Sequence, residues 1–181
     1  MEMRIIRNTA PEDLPDVWRI YARARERMAE EGNNGQWRPG GPPSELVLKD
    51  INEGHHYVVA ERGRIIGAFS YIPGEDPTYR IIEGEGWLND RPYGTIHRIA
   101  AEERGMRLFA DVLAFCSERC PDVRIDTHEQ NRTMRAVLAK HGFHKCGVIR
   151  LADGSPRIAY QKSFDEGGRG FDSAHGKGAE L

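Results

Sequence analysis

Val123-Arg124-Ile125-Asp126-Thr127-His128-Glu129-Gln130-Asn131-Arg132-Thr133-Met134-Arg135-Ala136-Val137-Leu138-Ala139-Lys140-His141-Gly142-Phe143 is the stretch whose reading decides the fold. Its first six residues alternate, with Val123, Ile125 and Thr127 on one side and Arg124, Asp126 and His128 on the other. Period two is the mark of a strand. From about Arg132 to His141 the period changes to that of a helix, with Met134, Val137 and Leu138 inward, and Gly142 is a C-terminal stop. A strand, a short turn and a helix are therefore expected here, and a second strand begins at Phe143.

The same pattern extends in both directions. Upstream, Thr95 to Ala101 reads as a strand, followed by a helix carrying Met106, Phe109, Ala110, Leu113 and Cys116 on one stripe. Downstream, Phe143 to Leu151 and Arg157 to Lys162 form a hairpin through Ala152-Asp153-Gly154-Ser155-Pro156. Near the N-terminus a strand from Met3 to Arg7 precedes a helix from Pro11 to Glu31, with Leu14, Val17, Trp18, Tyr21, Arg25 and Met28 at helical spacing and Thr9 as its cap. A second helix is expected from Ser44, read as its cap, to Glu53. Tyr57 to Glu61 and Ile65 to Ile72 then pair antiparallel through Arg62-Gly63-Arg64. Between Pro73 and Tyr93 the chain is irregular, and it is expected to pack over the sheet through Trp87 and Ile81.

The element order is β-α-α-β-β-β-α-β-α-β-β, an α/β chain with a mixed, mostly antiparallel central sheet flanked by helices. One domain is expected over residues 1–163 of the 181, a length that buries a core without metals or disulfides. From Phe164 onward five of eighteen residues are glycine and no apolar period survives, so residues 164–181 are expected to form a flexible tail.

Composition excludes several classes. Hydrophobic residues at 39% and charged residues at 30% are a globular balance, and no apolar run nears the roughly 20 residues that cross a bilayer, so no membrane partner is expected. The N-terminal Met1-Glu2-Met3-Arg4-Ile5-Ile6-Arg7 lacks a secretory apolar segment, which implies a cytoplasmic location. A net charge of −2 with scattered Lys and Arg gives no footprint for nucleic acid. Cys116, Cys120 and Cys146 read as core thiols. His55, His56, His141 and His144 lie far from the Asp126–His128 pair in the chain, so no metal is expected, and no serine sits in a nucleophile elbow.

The element order, the segment Ile96-His97-Arg98-Ile99-Ala100-Ala101, and an Asn131 that begins a helix eleven residues before Gly142-Phe143 together resemble the GNAT acetyltransferase superfamily over residues 3–162. The resemblance implies the acyl-CoA N-acyltransferase fold and acetyl-CoA as co-substrate, with no metal. It places the pantetheine amides on main-chain groups of Ile99 and Ala101, the diphosphate on Arg104, Gly105 and Met106 at a helix N-terminus, and Asn131 at the head of the next helix. The loop after Ala101 is about two residues shorter than the family pattern. Leu138 stands where the family often has the Tyr that protonates the leaving thiolate, so that proton comes from another group or from solvent.

The expected reaction is transfer of an acetyl group to a primary amine of a small-molecule or peptide acceptor, which requires a base for the amine proton. His97 and His128 are the two imidazoles that the strand order brings toward one cleft; the structural alternative is that each satisfies hydrogen bonds in a half-buried sheet. Gln36 and Trp37, in the Gly- and Pro-rich loop from Gly32 to Pro43, either contact the acceptor or anchor that loop. Arg98 is expected to pair with Asp126. A second function class on the same fold is a non-catalytic module that binds CoA or senses a small molecule. Homodimer formation through an edge strand is expected by analogy with the family.

Overall fold

In the computed structural model, residues 4–103 and 107–164 are described. Strands β1 (Arg4–Asn8), β2 (His56–Glu61), β3 (Arg64–Pro73), β4 (Tyr93–Ala101), β5 (Asp122–Thr127), β6 (His144–Arg150) and β7 (Pro156–Ser163) form one sheet in the order β1-β2-β3-β4-β5-β7-β6. Helices are α1 (Leu14–Glu30), α2 (Ser44–Asn52), α3 (Leu108–Ser117) and α4 (Arg132–Lys140). Neighbouring strands run antiparallel except for β4 and β5, which are parallel. The expected mixed, mostly antiparallel sheet is thus observed. Among the described residues no helix is long and apolar enough to cross a membrane.

Period explains which helix covers which face. On α1, Val17, Ile20, Tyr21 and Ala24 are buried at i, i+3, i+4 and i+7, and with Val47 of α2 they pack on Val58, Ala68 and Ala100. The opposite face carries Phe69, Tyr71, Ile96, Val123 and Ile125 under α3 and α4, whose Val112, Leu113 and Leu138 complete the larger core. Over the β5–β7–β6 end of the first face lies the segment between β3 and β4, through Tyr79 and Trp87 packed on Ile149 and Ala159. Ile81, expected to help hold that segment, is 80% exposed, and the adjacent Ile82 packs inward instead. In an irregular segment no period tells which of two neighbours points inward.

Two expected caps differ. Thr9 does not cap α1: its hydroxyl contacts His56 Nδ1 at 2.7 Å, and the helix is entered through a 3-10 turn at Pro11–Asp13. Ser44 is the first residue of α2, whose N-cap is Pro43. The β2–β3 turn has positive φ at both Arg62 and Gly63, the conformation that two-residue hairpins demand. The tail beyond Phe164, like Met3 and Met106, lies outside the described residues. Phe164 itself packs against the larger core.

The feature that opens the molecule lies in β4. Ser70 pairs with His97 and Ala68 with Ala100, so β4 spends one more residue than β3 over the same span. This bulge puts Arg98 at φ 52°, a left-handed conformation that costs an L-residue roughly 1–2 kcal/mol. Asp50 holds it there: Asp50 Oδ2 accepts from Arg98 Nη2 and, at 2.5 Å, from Ser70 Oγ. Beside this pair is a second buried polar group. His56 Nε2 contacts the Tyr21 hydroxyl at 2.9 Å, and burial pushes the His56 imidazole down to about 4.

Two outcomes follow for stability. Arg98→Ala leaves the Asp50 carboxylate buried without its cation and is expected to cost about 3–5 kcal/mol in urea unfolding. Arg98→Gly should be the milder change by about 1 kcal/mol, because glycine adopts positive φ freely; equal losses in the two variants would remove the bulge strain from the account. His56, neutral when folded, binds its proton more weakly than in the unfolded chain, so its contribution is complete above its ordinary value of 6.5 and is lost as pH falls toward about 4. Urea midpoints measured through that window should show an acid-side slope of at most about 1.4 kcal/mol per pH unit from this group, absent in His56→Gln.

Candidate active site between β4 and β5

β4 and β5 are paired only from Tyr93–Asp122 to Thr95–Arg124. Beyond that point they part, and the gap opens into a cavity of about 950 Å³ lined by β4, β5, the loop from Gln36 to Pro43 and the segment Asp76 to Thr78. A smaller cavity of about 310 Å³ lies on the side of α1, α3 and α4. Met28, Ile99, Asn131 and Met134 line both. The two spaces therefore share a wall at the bulge.

Strand alternation places Thr95 and His97 on one face of β4, and the register of Thr95 with Arg124 puts Asp126 on the same face of β5. His97 lines the larger cavity, with Nε2 2.9 Å from Asp76 Oδ2. Asp76 is itself fixed. Its Oδ1 accepts from Thr78 N at 2.9 Å and from Thr78 Oγ1 at 2.6 Å, and its own N–H donates to the Tyr93 hydroxyl at 3.1 Å. Burial pushes its carboxyl upward, but the hydrogen bonds from His97 and Thr78 outweigh burial and bring it down to about 2. An ionised Asp76 can only accept, so Nε2 of His97 is the donor in this contact and Nδ1 is the ring nitrogen turned away from the carboxylate.

Across the gap, the Tyr79 hydroxyl donates to Asp126 Oδ2 at 2.9 Å, and the Tyr79 ring lies 6.3 Å from that of His97. Burial, reinforced by the Asp126 carboxylate, drives the Tyr79 phenol well above its ordinary value, so it stays protonated. Asp76 and Tyr79 escaped the sequence reading because they lie in the irregular segment. The local signal was Asp76-Pro77-Thr78, an Asp that caps a turn with Pro at its first position.

The other expected site residues separate into groups. His128 follows the end of β5 and is not among the residues lining either cavity. Its ring lies against Gly35, where a Cβ would come within 2.3 Å of it, so a larger residue at 35 would displace the His128 ring. Burial first, and Arg157 second, push the His128 imidazole below its ordinary value. Gln36 lines the cavity, but its Oε1 accepts from Thr127 Oγ1 at 2.8 Å, His128 N at 2.8 Å and Asn131 Nδ2 at 3.1 Å. Trp37 lines the cavity and meets Tyr21 edge to face at 5.6 Å.

The expected Arg98–Asp126 pair does not form. Arg98 reaches Asp50 on α2 instead, because the bulge alters the direction in which residue 98 leaves the strand. Asn131 caps α4, its Oδ1 accepting from Met134 N at 3.1 Å. Ile99 lines both cavities and Ala101 the smaller one, where Arg27 donates to the carbonyls of Ala101 and Glu102. The Glu102 side chain is fully buried and accepts from Arg19 and Arg64, anchoring the end of β4. Arg104, Gly105 and Met106 lie outside the described residues. Leu138 is buried in the larger core.

No family model matches this chain and no curated protein does. Solved structures do. The chain is similar to an acetyltransferase of the GNAT family from Streptococcus agalactiae 2603, with 33% identity over 90% of this chain and 96% of that one and a TM-score of 0.79. It shares its fold with a GNAT-family acetyltransferase from Listeria monocytogenes 4b F2365, at 18% identity over 89% and 95% of the two chains and a TM-score of 0.65. The same holds for a ribosomal-protein-alanine N-acetyltransferase from Brucella melitensis, at 18% identity over 88% and 99% and a TM-score of 0.57.

Gln36→Ala removes one acceptor from three donors at once. A loss of about 2 kcal/mol is expected in urea unfolding, since unpaired buried donors cost roughly 1–3 kcal/mol each and some rebind water. The His128 amide should also exchange its hydrogen faster, while Gln36→Glu retains the protection. An unchanged exchange rate at His128 in Gln36→Ala would show that the side chain is not the anchor.

Proposed function

Because this chain belongs to the GNAT superfamily of acetyltransferases, we propose that it moves an acetyl group from acetyl-CoA to the primary amine of a small-molecule or peptide acceptor, by direct attack in a ternary complex without a covalent enzyme intermediate. The observation that carries this reading is the His97–Asp76 pair, set in the larger cavity where β4 and β5 part. A cytoplasmic location and the absence of nucleic acid among the partners belong to the same reading.

Acetyl-CoA supplies a thioester carbonyl and a thiol leaving group. The acceptor amine enters the larger cavity as an ammonium ion, and His97 Nδ1 takes its proton. The freed lone pair forms the N–C bond while the C–S bond breaks and its electron pair leaves on sulfur; the second proton that the nitrogen must lose passes to that thiolate, giving the neutral amide and the CoA thiol. Asp76 stabilises the imidazolium that results and keeps the ring in place. The smaller cavity, beside the main chain of Ile99 and Ala101, is where the pantetheine arm fits. Its wall is apolar through Leu108, Phe109 and Val137, which keeps water from the thioester. A thiolate is a good leaving group near neutrality, so Leu138 in place of an acid does not preclude transfer.

That His97 lines the larger cavity while His128 lines neither supports His97 as the base. His97→Ala is expected to lower kcat about 10²–10⁴-fold across an amine panel. Asp76→Asn should lower kcat at least about tenfold with little change in acetyl-CoA affinity by calorimetry, since it acts through His97. A loss as large in His128→Ala would move the base to the other histidine. Acetyl-CoA binding without turnover on any amine would favour the non-catalytic module.

A further inference from the structure

Most charges lining the larger cavity are matched by a neighbour of opposite sign. Arg98 is held by Asp50, Arg38 by Asp153 at 2.5 Å and Lys49 by Glu53 at 3.9 Å, while the Asp76 carboxylate is met by hydrogen bonds from His97 Nε2, Thr78 N and Thr78 Oγ1. Glu45 lies exposed at the rim. Asp126, half-buried, and Arg157, only 7% exposed, have no ion pair among the described residues.

Arg157 is not idle. Its guanidinium donates to the carbonyls of Gly35 at 3.1 Å, Gln36 at 3.4 Å and Pro156 at 2.9 Å, and to Ser155 Oγ at 3.5 Å. These partners are all neutral, so the charge itself is uncompensated, and a buried guanidinium is ordinarily paired. Asp126 likewise has a neutral partner, the Tyr79 hydroxyl.

The two groups are neighbours by register. Asp126 faces Ala159 across the β5–β7 ladder, and Arg157 lies two residues from Ala159 on the same face. That makes Asp126 and Arg157 a diagonal pair, about 7–8 Å apart at Cβ. The Arg157 guanidinium turns to the carbonyls of the loop and not to Asp126, so the two charges line one cavity as neighbours without forming a pair. His97 is on the same face, on the other side of the gap.

We propose that the acceptor is a small amino acid, its carboxylate drawn by the uncompensated charge of Arg157 and its ammonium by Asp126 to the place where His97 removes a proton. This rests on the acetyl-transfer reading above and narrows its acceptor. The ammonium gives one proton to His97 Nδ1, the same nitrogen then bonds to the acetyl carbon as the thiolate departs, and the second proton lost from that nitrogen goes to the thiolate. The cavity's apolar lining, including Trp37, Ile72 and Leu151, faces the side chain and selects among amino acids.

The test uses the common α-amino acids, each beside its decarboxylated amine and its carboxamide, with acetyl-CoA and the full chain. At least one amino acid is expected to exceed both analogues in kcat/KM by about tenfold or more, as is usual when a site built for a polar group meets a ligand lacking it. Asp126→Asn should erase that preference and Asp126→Glu recover part of it. Because Arg157 also clamps the loop, Arg157→Lys, which keeps the charge, accompanies Arg157→Gln. In a second measurement without acetyl-CoA, the preferred amino acid should raise the thermal midpoint of the wild type by several degrees and that of Asp126→Asn by none.

Amines and carboxamides acetylated as fast as the amino acids would overturn the acceptor class and leave acetyl transfer standing. If no compound is acetylated but an amino acid raises the midpoint through Asp126, the zwitterion site stands and the transfer reading falls. Flat results in both measurements would overturn the inference, and calorimetry with acetyl-CoA then decides separately on the donor.

Discussion

Everything functional in this molecule depends on β4 and β5 ceasing to pair after Thr95 and Arg124. A parallel pair that continued would bury its main chain and leave no room between the strands. The bulge in β4 prevents this by turning the strand at Arg98, and the Asp50–Arg98 ion pair stabilises the turned conformation against its φ of 52°. Sheet continuity elsewhere is what permits the defect: β3 remains bonded to β4 on both sides of the bulge, and β5 remains bonded to β7 along its full length. The opening is thus a local exception in a sheet that is otherwise closed.

That opening sorts the chemistry by side. The smaller cavity presents mainly apolar side chains and strand main chain, suited to a long flexible arm. The larger one presents titratable groups on a single face, with His97 and Asp76 on one bank and Asp126 on the other. Tyr79 touches both banks, its ring near His97 and its hydroxyl on Asp126. The segment between β3 and β4 therefore does more than cover the sheet, since it supplies the carboxylate that holds His97.

Periodicity made most of the architecture legible. Alternation at Val123–Thr127 and the helical spacings of the first and last helices gave each element its face, and the sheet kept those faces because each has its own core to bury. What alternation could not give was partners. It put Arg98 and Asp126 within plausible reach, yet a one-residue bulge, invisible in a pattern of side chains, sent Arg98 to Asp50. The Asp76–His97 contact was hidden for another reason: it joins a strand to a segment without a period, 21 residues away. Thr9 looked like a cap because threonine caps helices, but tertiary packing offered it His56. His128 shares a strand face with Asp126, but the face extends past the cavity.

The loop between α1 and α2 is joined to the scaffold at a few points. Gln36 Oε1, the glycine at 35 and the Arg157 donors hold its start, while Arg38, Pro39 and Gly40 project into solvent along the cavity rim. Such an arrangement separates heritable variation into two kinds. Changes at the attachment points disturb β5, α4 and β7 together, whereas changes along the rim reshape the mouth of the cavity at little cost to folding. The rim is where a lineage carrying this scaffold can drift from one acceptor to another without first losing the protein.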